Sequence, residues 1–234
     1  MMKSIRKALV VVRRRIFESF ASARYSRPAL HDLDRKIERF IDRDGGFFVE
    51  AGANDGFQQS NTYYFERMRR WSGVLVEPIQ DLFRTCRHRR RRSKVFNAAL
   101  VSAACRDQSV LLHFAGLMST VDNALGAATA AHVASGRQCQ EIELGYEVRV
   151  PARTLTSILD EAGAPREFDL LSLDVEGFEA EVLLGLDLAK YRPRFMCIEV
   201  RDGTAIEQVI GKSYRQVSVL TELGSHRDIL YAAK

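Results

Sequence analysis

The sequence is poor in the features that mark disulfide-rich, zinc-binding and membrane-spanning proteins. Its 4 cysteines among 234 residues stand singly, without a C-x-x-C pair or histidines at zinc-ligand spacing. Neither a disulfide framework nor a zinc site is therefore expected. The apolar run from Ala8 to Val12 covers only five residues, which is too short for a signal peptide or a membrane span. There is also no internal repeat. The scattered cysteines favour a reducing compartment, the cytoplasm, and 234 residues with 46% apolar side chains are enough for one α/β domain with a full core.

The net charge of +5 is concentrated in two segments. Residues 1–27 hold eight Lys/Arg and one Glu, and residues 84–94 hold seven Lys/Arg and no acid. The rest of the chain is consequently acidic. The first segment is both basic and apolar, and two interpretations of it stay open. Residues 1–20 could lie as a helix on the inner face of an anionic membrane, or they could cover an apolar patch of the domain or of a partner. The protein contact is the favoured interpretation.

A glycine turn is the most informative segment of the chain. Residues 50–56 read Glu-Ala-Gly-Ala-Asn-Asp-Gly, after the apolar run 47–49 and before a helical segment at 62–70. Strand, glycine turn and helix in this order open a nucleotide-binding α/β sheet. Gly52 allows the turn, and Gly56 is expected to leave room for a ligand beside the backbone.

A second strand, Trp71 to Val76, ends in Glu77, which lies 21 residues past Gly56. At this distance a doubly wound sheet delivers an acid to a ribose diol. The acids around the first turn would repel a pyrophosphate, but they suit a ligand that carries an ammonium and a sulfonium group. S-adenosylmethionine is such a ligand, and NAD is the weaker alternative.

Several spaced motifs in one order resemble the FkbM-type methyltransferases. The resemblance runs from about residue 47 to the carboxyl terminus and implies a class I (Rossmann-like) methyltransferase domain over 45–234, preceded by a basic helical extension over 1–44. It also implies an S-adenosylmethionine-dependent activity. The motifs are Glu50–Gly56, Ser60–Glu66, Trp71–Pro78, Asn97–Leu100, Arg153–Leu155 with Ser157–Leu159, Asp169–Gly177, Ile198–Val200 and His226–Asp228.

Strand and helix patterns alternate along the chain, which predicts an α/β fold with a mostly parallel sheet flanked by helices. A terminal hairpin, 214–220 with 229–232, should add one antiparallel strand. Val148 to Pro151 is interpreted as an edge strand because proline cannot donate to a sheet ladder. In such sheets ligands bind outside the carboxyl ends of the parallel strands, and each of five strands ends in polar residues. The predicted cofactor-binding residues are Glu50, Gly52, Asn54, Asp55, Gly56, Asn61, Glu77, Pro78, Asn97, Ala98 and Asp174.

Methyl transfer to an alcohol needs alignment and a base that takes the proton. The candidate catalytic residues are Asp174, Glu176, Glu199 and His226. Asp174 and Glu176 leave the central strand together, and they could also hold a divalent cation with a substrate hydroxyl. The alternative interpretations are purely structural: Glu176 could cap a helix, Glu199 could simply lie at the end of its strand, and His226 could lie in a surface loop. No His-rich cluster indicates a transition metal.

Residues 115–136 lose all periodicity and are predicted to form a lid or acceptor-binding insert. The polar residues expected to face the acceptor are Ser119, Thr120, Asp122 and Asn123.

The arginine run 87–92 invites a nucleic-acid interpretation. Its place before the third strand predicts a solvated loop at the opposite end of the sheet, and it lacks the aromatic residues for base stacking. Nucleic acid is therefore disfavoured. The favoured function is an O-methyltransferase for a hydroxyl of a sugar, a glycan or a small metabolite, a substrate class that comes from the resemblance. The alternatives are an RNA methyltransferase and a non-catalytic S-adenosylmethionine-binding module.

Overall fold

Strands and helices alternate in the computed structural model, which describes residues 2–113, 120–121 and 147–234. The strands are β1 Phe47–Ala51, β2 Ser72–Val76, β3 Lys94–Phe96, β4 Ala99–Leu100, β5 Ser109–His113, β6 Thr120–Val121, β7 Glu147–Arg153, β8 Glu167–Leu173, β9 Arg192–Val200, β10 Tyr214–Glu222 and β11 Arg227–Ala233. The helices are α1 Met2–Ser19, α2 Leu33–Glu38, α3 Tyr63–Met68, α4 Gln80–Arg89, α5 Leu155–Ala162, α6 Glu179–Leu184 and α7 Gly203–Ile210, and a 3₁₀ turn spans Leu30–Asp32.

A seven-stranded sheet carries the fold, with strand order β10-β11-β9-β8-β1-β2-β3. Its central strands are short apolar runs buried on both faces, as expected where helices cover a parallel sheet. β3, β2, β1, β8 and β9 pair in parallel, while β11 runs antiparallel between β9 and β10. The predicted class I methyltransferase layout with its terminal hairpin is therefore confirmed.

The strand order reverses between β1 and β8. From β1 the chain moves outward through β2 to β3, and it then returns to β8 on the other side of β1 before continuing to β9. Open α/β sheets bind ligands at such a switch point, in the crevice outside the carboxyl ends of the strands. The ends of β1 and β8 therefore mark where a site is expected.

A second sheet of four strands has the order β4-β7-β5-β6. The prediction of β7 as an edge strand was wrong, because β7 lies between β4 and β5. Proline is tolerated there because β4 pairs only with Ala152 and Arg153, so that Pro151 lies beyond the end of this short neighbour. The small sheet packs beside the carboxyl ends of the large one through a cluster that includes Ile79 and Leu112.

Part of the segment before β1 belongs to the core of the domain. Leu33, Ile37 and Ile41 are buried in one cluster with Phe48 and Trp71. The helix that carries the first two ends at residue 38 and is shorter than its apolar spacing suggests. Residues 33–41 thus cover one face of the large sheet.

The amino-terminal helix α1 docks through polar contacts. The Glu18 carboxylate accepts hydrogen bonds from Ser26 Oγ at 2.7 Å, Tyr63 Oη at 2.9 Å and Arg67 Nη2 at 2.8 Å. Arg14 stacks on the Phe57 ring, 3.7 Å from its centroid. Within the described residues, no helix combines the length and the apolar character that crossing a bilayer requires.

Candidate functional site

A cavity opens at the switch point, outside the carboxyl ends of the large sheet. Four segments form its wall: the turn after β1, the end of β2 with the start of α4, the β3–β4 connection, and the loop after β8. Leu112 of β5 closes one side. The lining residues are Gly52, Asn54, Gln58, Gln59, Val76, Glu77, Pro78, Ile79, Leu82, Ala98, Ala99, Leu100, Leu112, Asp174, Val175, Glu176 and Phe178.

The floor of the cavity requires glycine at position 52. Gly52 has a φ of +84°, and a Cβ atom there would lie 1.9 Å from the carbonyl oxygen of Asp174. No side chain fits between the two loops, so the turn after β1 can approach the turn after β8 only with glycine. Asn54 follows in the left-handed region, at a φ of +49°.

Glu77 lies at the end of β2, is buried and lines the cavity. Its carboxylate accepts hydrogen bonds from the backbone N–H groups of Asn54 at 2.7 Å and Ile79 at 2.8 Å. These contacts fix the Glu77 side chain between the turn after β1 and the turn after β2. Burial raises the pKa of the Glu77 carboxyl to about 7, although the two backbone hydrogen bonds oppose this shift.

Cofactor binding should depend on the protonation of Glu77. Ribose hydroxyls donate most strongly to an ionised carboxylate. Affinity should therefore be constant above pH 7 and should fall as pH drops below that value, approaching about tenfold per pH unit. Titration calorimetry from pH 5.5 to 8.5 measures this, with Glu77→Gln as the control that should flatten the profile. An unchanged slope in that variant would assign the dependence to another group, such as Asp174.

Part of the cavity lining is apolar. Ala98 and Leu100 contribute to it, together with Ile79, Leu82 and Leu112. The predicted residue Asn97 lies just outside this lining. Its amide nitrogen donates to the carbonyl oxygens of Glu77 at 2.9 Å and Pro78 at 2.7 Å. Asn97 thus holds the turn that presents Glu77 and Pro78 to the cavity.

Asp174 and Glu176 enter the cavity from the loop after β8. The buried Glu179 fixes the backbone of this loop. Its carboxylate accepts hydrogen bonds from the N–H groups of Val175 at 3.1 Å and Gly177 at 3.0 Å. Glu176 itself has a φ of +56°. Left-handed backbone in a residue other than glycine costs about 1–3 kcal/mol and is concentrated at functional sites.

Arg201 joins two of the candidate catalytic acids. Its Nη2 donates to Glu176 Oε2 at 2.7 Å and to Glu199 Oε1 at 2.6 Å. The Glu176 carboxylate is therefore engaged by an arginine, and the N-cap residue of α6, Phe178, provides no side-chain cap. Sequence reasoning missed Arg201, because an arginine directly after a strand is not a distinctive signal.

Burial and neighbouring carboxylates raise the pKa of two acids of this site, Glu199 and Asp174. Burial and the Glu176 carboxylate raise the pKa of Glu199 to about 8, although Arg201 opposes the shift. Desolvation raises the pKa of Asp174 well above its usual range, and the Glu199 and Glu176 carboxylates raise it further. The Asp174 side chain is accessible from the cavity, so water there screens part of this effect. Such repulsion would be relieved by a cationic ligand.

His226 borders this group on the far side of Glu199. Its Nε2 lies 3.5 Å from Glu199 Oε2, and its Nδ1 lies 3.0 Å from Ser225 Oγ. Burial lowers the pKa of His226, which keeps the imidazole neutral at neutral pH. β11 brings Asp228 opposite Glu199 in register. Glu199 and His226 adjoin Glu176 without lining the cavity themselves.

Glu50 lies outside the cavity lining, in a buried ion cluster. Its carboxylate accepts hydrogen bonds from the Asn61 N–H at 2.9 Å and Thr62 Oγ1 at 2.6 Å, and Arg90 Nη1 lies 3.3 Å away. Arg90 is completely buried and donates to Glu66 Oε2 at 2.9 Å. The prediction that the arginine run is a solvated loop remote from the site was therefore wrong for Arg90.

The arginine run also occupies the space beside the first turn. A Cβ atom at Gly56 would meet Arg90 Cγ and Cys86 Sγ, each at 2.9 Å. The room that Gly56 provides is thus filled by protein, contrary to the expectation of a ligand there. Arg89 forms an ion pair with Asp55, whose carboxylate also accepts from the Phe57 N–H at 2.9 Å. Arg89 thereby holds the segment that leads into Gln58 of the cavity wall.

The remaining predicted residues fall in different places. The Asn61 amide nitrogen donates to Ser172 Oγ at 3.1 Å, which ties α3 to the central strand. Ser119, Asp122 and Asn123 lie outside the described residues. Thr120 belongs to β6, where its backbone is paired with His113. The predicted role of these residues in acceptor binding stays a prediction.

No metal-binding arrangement appears among the side chains that the structure describes, since none of their groups of three or more His, Cys, Asp or Glu is placed to hold an ion. Arg201 already neutralises part of the charge on Glu176 and Glu199. A divalent cation at these acids is therefore unsupported.

Several solved methyltransferases resemble this chain in structure. A TehB-like SAM-dependent methyltransferase from Corynebacterium glutamicum matches with a TM-score of 0.45 and 10% identity, over 99% of this chain and 100% of that chain. A SAM-dependent methyltransferase from Aquifex aeolicus matches with a TM-score of 0.46 and 12% identity, over 88% of this chain and 92% of that chain. A ribosomal protein L11 methylase from Lactobacillus delbrueckii subsp. bulgaricus matches with a TM-score of 0.45 and 9% identity, over 87% of this chain and 78% of that chain.

The family is shown by sequence. No curated protein matches the chain. The family model described as the methyltransferase FkbM domain matches residues 50–230, which includes the first turn, Glu77, the loop after β8 and most of the terminal hairpin. The chain belongs to the FkbM methyltransferase family, and it is an S-adenosylmethionine-dependent methyltransferase.

Proposed function

We propose that this enzyme transfers the methyl group of S-adenosylmethionine to a hydroxyl of a sugar, a glycan or a small metabolite. The observation that carries the proposal is the acidic group at the cavity, where Glu176 and Asp174 adjoin Glu199 and a neutral His226. Such a group offers both an environment for a cation and a base for a hydroxyl proton.

The residues of the cavity fit S-adenosylmethionine in three respects. Glu77 presents a fixed carboxylate for the two ribose hydroxyls, and the Ala98 and Leu100 wall offers an apolar surface for adenine. Asp174 also lines the cavity, where it would attract the ammonium and sulfonium charges. When bound there, the cofactor supplies an electrophilic methyl group. The chain supplies alignment and charge complementarity.

A hydroxyl acceptor needs a group that removes its proton. Glu199, with a pKa raised to about 8 by burial and the Glu176 carboxylate, is a stronger base than an ordinary carboxylate. His226 lies beside it with its pKa lowered by burial, so that its imidazole is free to accept a proton. Arg201 would hold Glu176 and Glu199 in place while this happens. Glu176, which reaches the cavity, would orient the acceptor.

The RNA alternative loses part of its basis in the structure. It rests on the arginine run, yet Arg90 is buried and Arg89 is paired with Asp55. Arg87, Arg91 and Arg92 stay exposed. Neutralising the whole run would unfold the protein through Arg90, so that Arg91→Ser with Arg92→Ser is the informative variant for RNA.

The test uses the purified enzyme, S-adenosylmethionine with a deuterated methyl group, and extracts of cells that lack the gene. Mass spectrometry of glycans, small metabolites and RNA should then find the label in a glycan or metabolite ether, and Arg91→Ser/Arg92→Ser should label it equally. Label in RNA that this variant loses would establish the alternative. Cofactor binding without labelling of any fraction would indicate a non-catalytic binding module.

A further inference from the structure

One face of α1 is apolar and exposed. Leu9, Val12, Ile16 and Phe20 are 62%, 53%, 51% and 79% exposed. Their spacing of three and four residues places them in one stripe along the helix and its carboxyl end. Val10 adds a further exposed side chain beside it. Scattered single apolar residues are normal on surfaces, but a continuous stripe marks an interaction site.

The opposite face of α1 is fixed on the domain, which leaves the stripe pointing outward. Arg14 is buried and stacks on the Phe57 ring, and Glu18 pairs with Arg67 at 2.8 Å. Arg14 and Glu18 are one turn apart, and they lie on the side away from Ile16. The contact between α1 and the domain is therefore made by these polar side chains, and the apolar stripe does not cover an apolar patch of the domain.

The charges beside the stripe are positive on both flanks. At 100° per residue, Arg13 lies on one side of the stripe and Arg15 on the other, and both are exposed. The sequence adds Lys3, Arg6 and Lys7 in the first turns of the same helix. Glu18, the single acid among residues 1–27, is already paired with Arg67. Apolar side chains flanked by cations on one helix face are typical of helices that lie in a lipid interface.

We infer that α1 binds the surface of an anionic lipid membrane, with Leu9, Val12, Ile16 and Phe20 inserted and Arg13 and Arg15 at the level of the headgroups. The charge complementarity favours lipid over a protein partner, because the centres of protein interfaces are depleted of charge. Through Phe57 the helix also contacts the segment that carries Gln58 of the cavity wall. The cavity would then lie close to the membrane surface.

The test is co-sedimentation of the full chain with vesicles of phosphatidylcholine alone or mixed with phosphatidylglycerol. Wild type should bind the anionic vesicles only, and added salt should weaken binding. Ile16→Ser/Phe20→Ser should weaken partition about 100-fold or more, given the free energy of burying two such side chains. Arg13→Ser/Arg15→Ser should weaken it about 25-fold, at about fivefold for each basic residue near the surface.

Two matched controls use residues elsewhere in the chain. Leu184→Ser removes an apolar side chain with the same 51% exposure as Ile16, and Arg91→Ser/Arg92→Ser removes two exposed arginines of the turn after α4. Both should bind like wild type. Equal binding to neutral vesicles, no binding to anionic vesicles, or equal losses in the controls would overturn the inference. So would light scattering that shows a dimer which Ile16→Ser/Phe20→Ser converts to a monomer, because the stripe would then be a protein interface.

Discussion

Replacing Asp174 with asparagine or Glu176 with glutamine should lower kcat by about 10²- to 10⁴-fold, the range that positioned acid–base and electrostatic groups contribute. Both side chains line the cavity at the switch point of the sheet. Each substitution keeps the shape of the side chain and removes its charge. The measurement is the rate of S-adenosylhomocysteine release with a labelled acceptor, together with thermal unfolding of each variant.

Stability should change little in the same variants. Asp174 is surrounded by carboxylates that raise its pKa together with desolvation, so that removing its charge relieves repulsion. Glu176→Gln keeps an oxygen that can accept from Arg201. Glu167→Gln is the matched control, because Glu167 is exposed at the opposite end of β8 from Asp174. Variants at 174 and 176 that melt like wild type and keep near-normal kcat would show that the catalytic centre lies elsewhere.

Replacing Arg90 with methionine should destabilise the fold by about 3–5 kcal/mol, the usual cost of removing one partner from a buried ion cluster. The guanidinium donates to Glu66 Oε2 at 2.9 Å, to Thr62 Oγ1 at 2.8 Å and to Ser60 Oγ at 3.1 Å, and it lies 3.3 Å from Glu50. Methionine fills most of the volume but leaves two buried carboxylates without their cation. Denaturant unfolding measures the change.

Arg91→Met is the control for this change. Arg91 is the next residue in the run and is exposed, so its replacement should alter the free energy of unfolding by less than about 0.5 kcal/mol. Equal stability of the Arg90 and Arg91 variants would contradict the ion cluster and return the run to the role of a solvated surface.

Features set by local sequence could be predicted well. The glycine turn at 50–56 and the acid at the end of the second strand could be predicted from chain geometry. In a parallel sheet each strand is followed by a helix, so the turns after the strands all lie at the same edge. Glu77, Asp174 and Glu176 therefore came to the cavity as their positions in sequence indicated. The alternation of strands and helices predicted the mostly parallel pairing of the large sheet for the same reason.

Features set by long side chains and distant partners could not be predicted. Glu50 and Asp174 both lie at the carboxyl end of a parallel strand, where ligands are expected. Glu50 is nevertheless paired with Arg90, 40 residues further along the chain. Every residue of an arginine run looks solvated in the sequence. In the structure, however, the Arg90 side chain is buried beside Gly56. Arg201 was missed because an arginine after a strand has no distinctive spacing. The second sheet was missed because β4 and β6 are two residues each.

The most direct test of the central claim is calorimetric titration of S-adenosylhomocysteine into wild type, Glu77→Ala and the exposed control Asp81→Ala at pH 8. The wild type and the control should bind in the micromolar range. Glu77→Ala should bind about 30- to 150-fold more weakly, because two charge-assisted hydrogen bonds to the ribose, together about 2–3 kcal/mol, are lost. No binding by the wild type, tighter binding of NAD, or equal affinity in Glu77→Ala would contradict the assignment of this cavity to the cofactor.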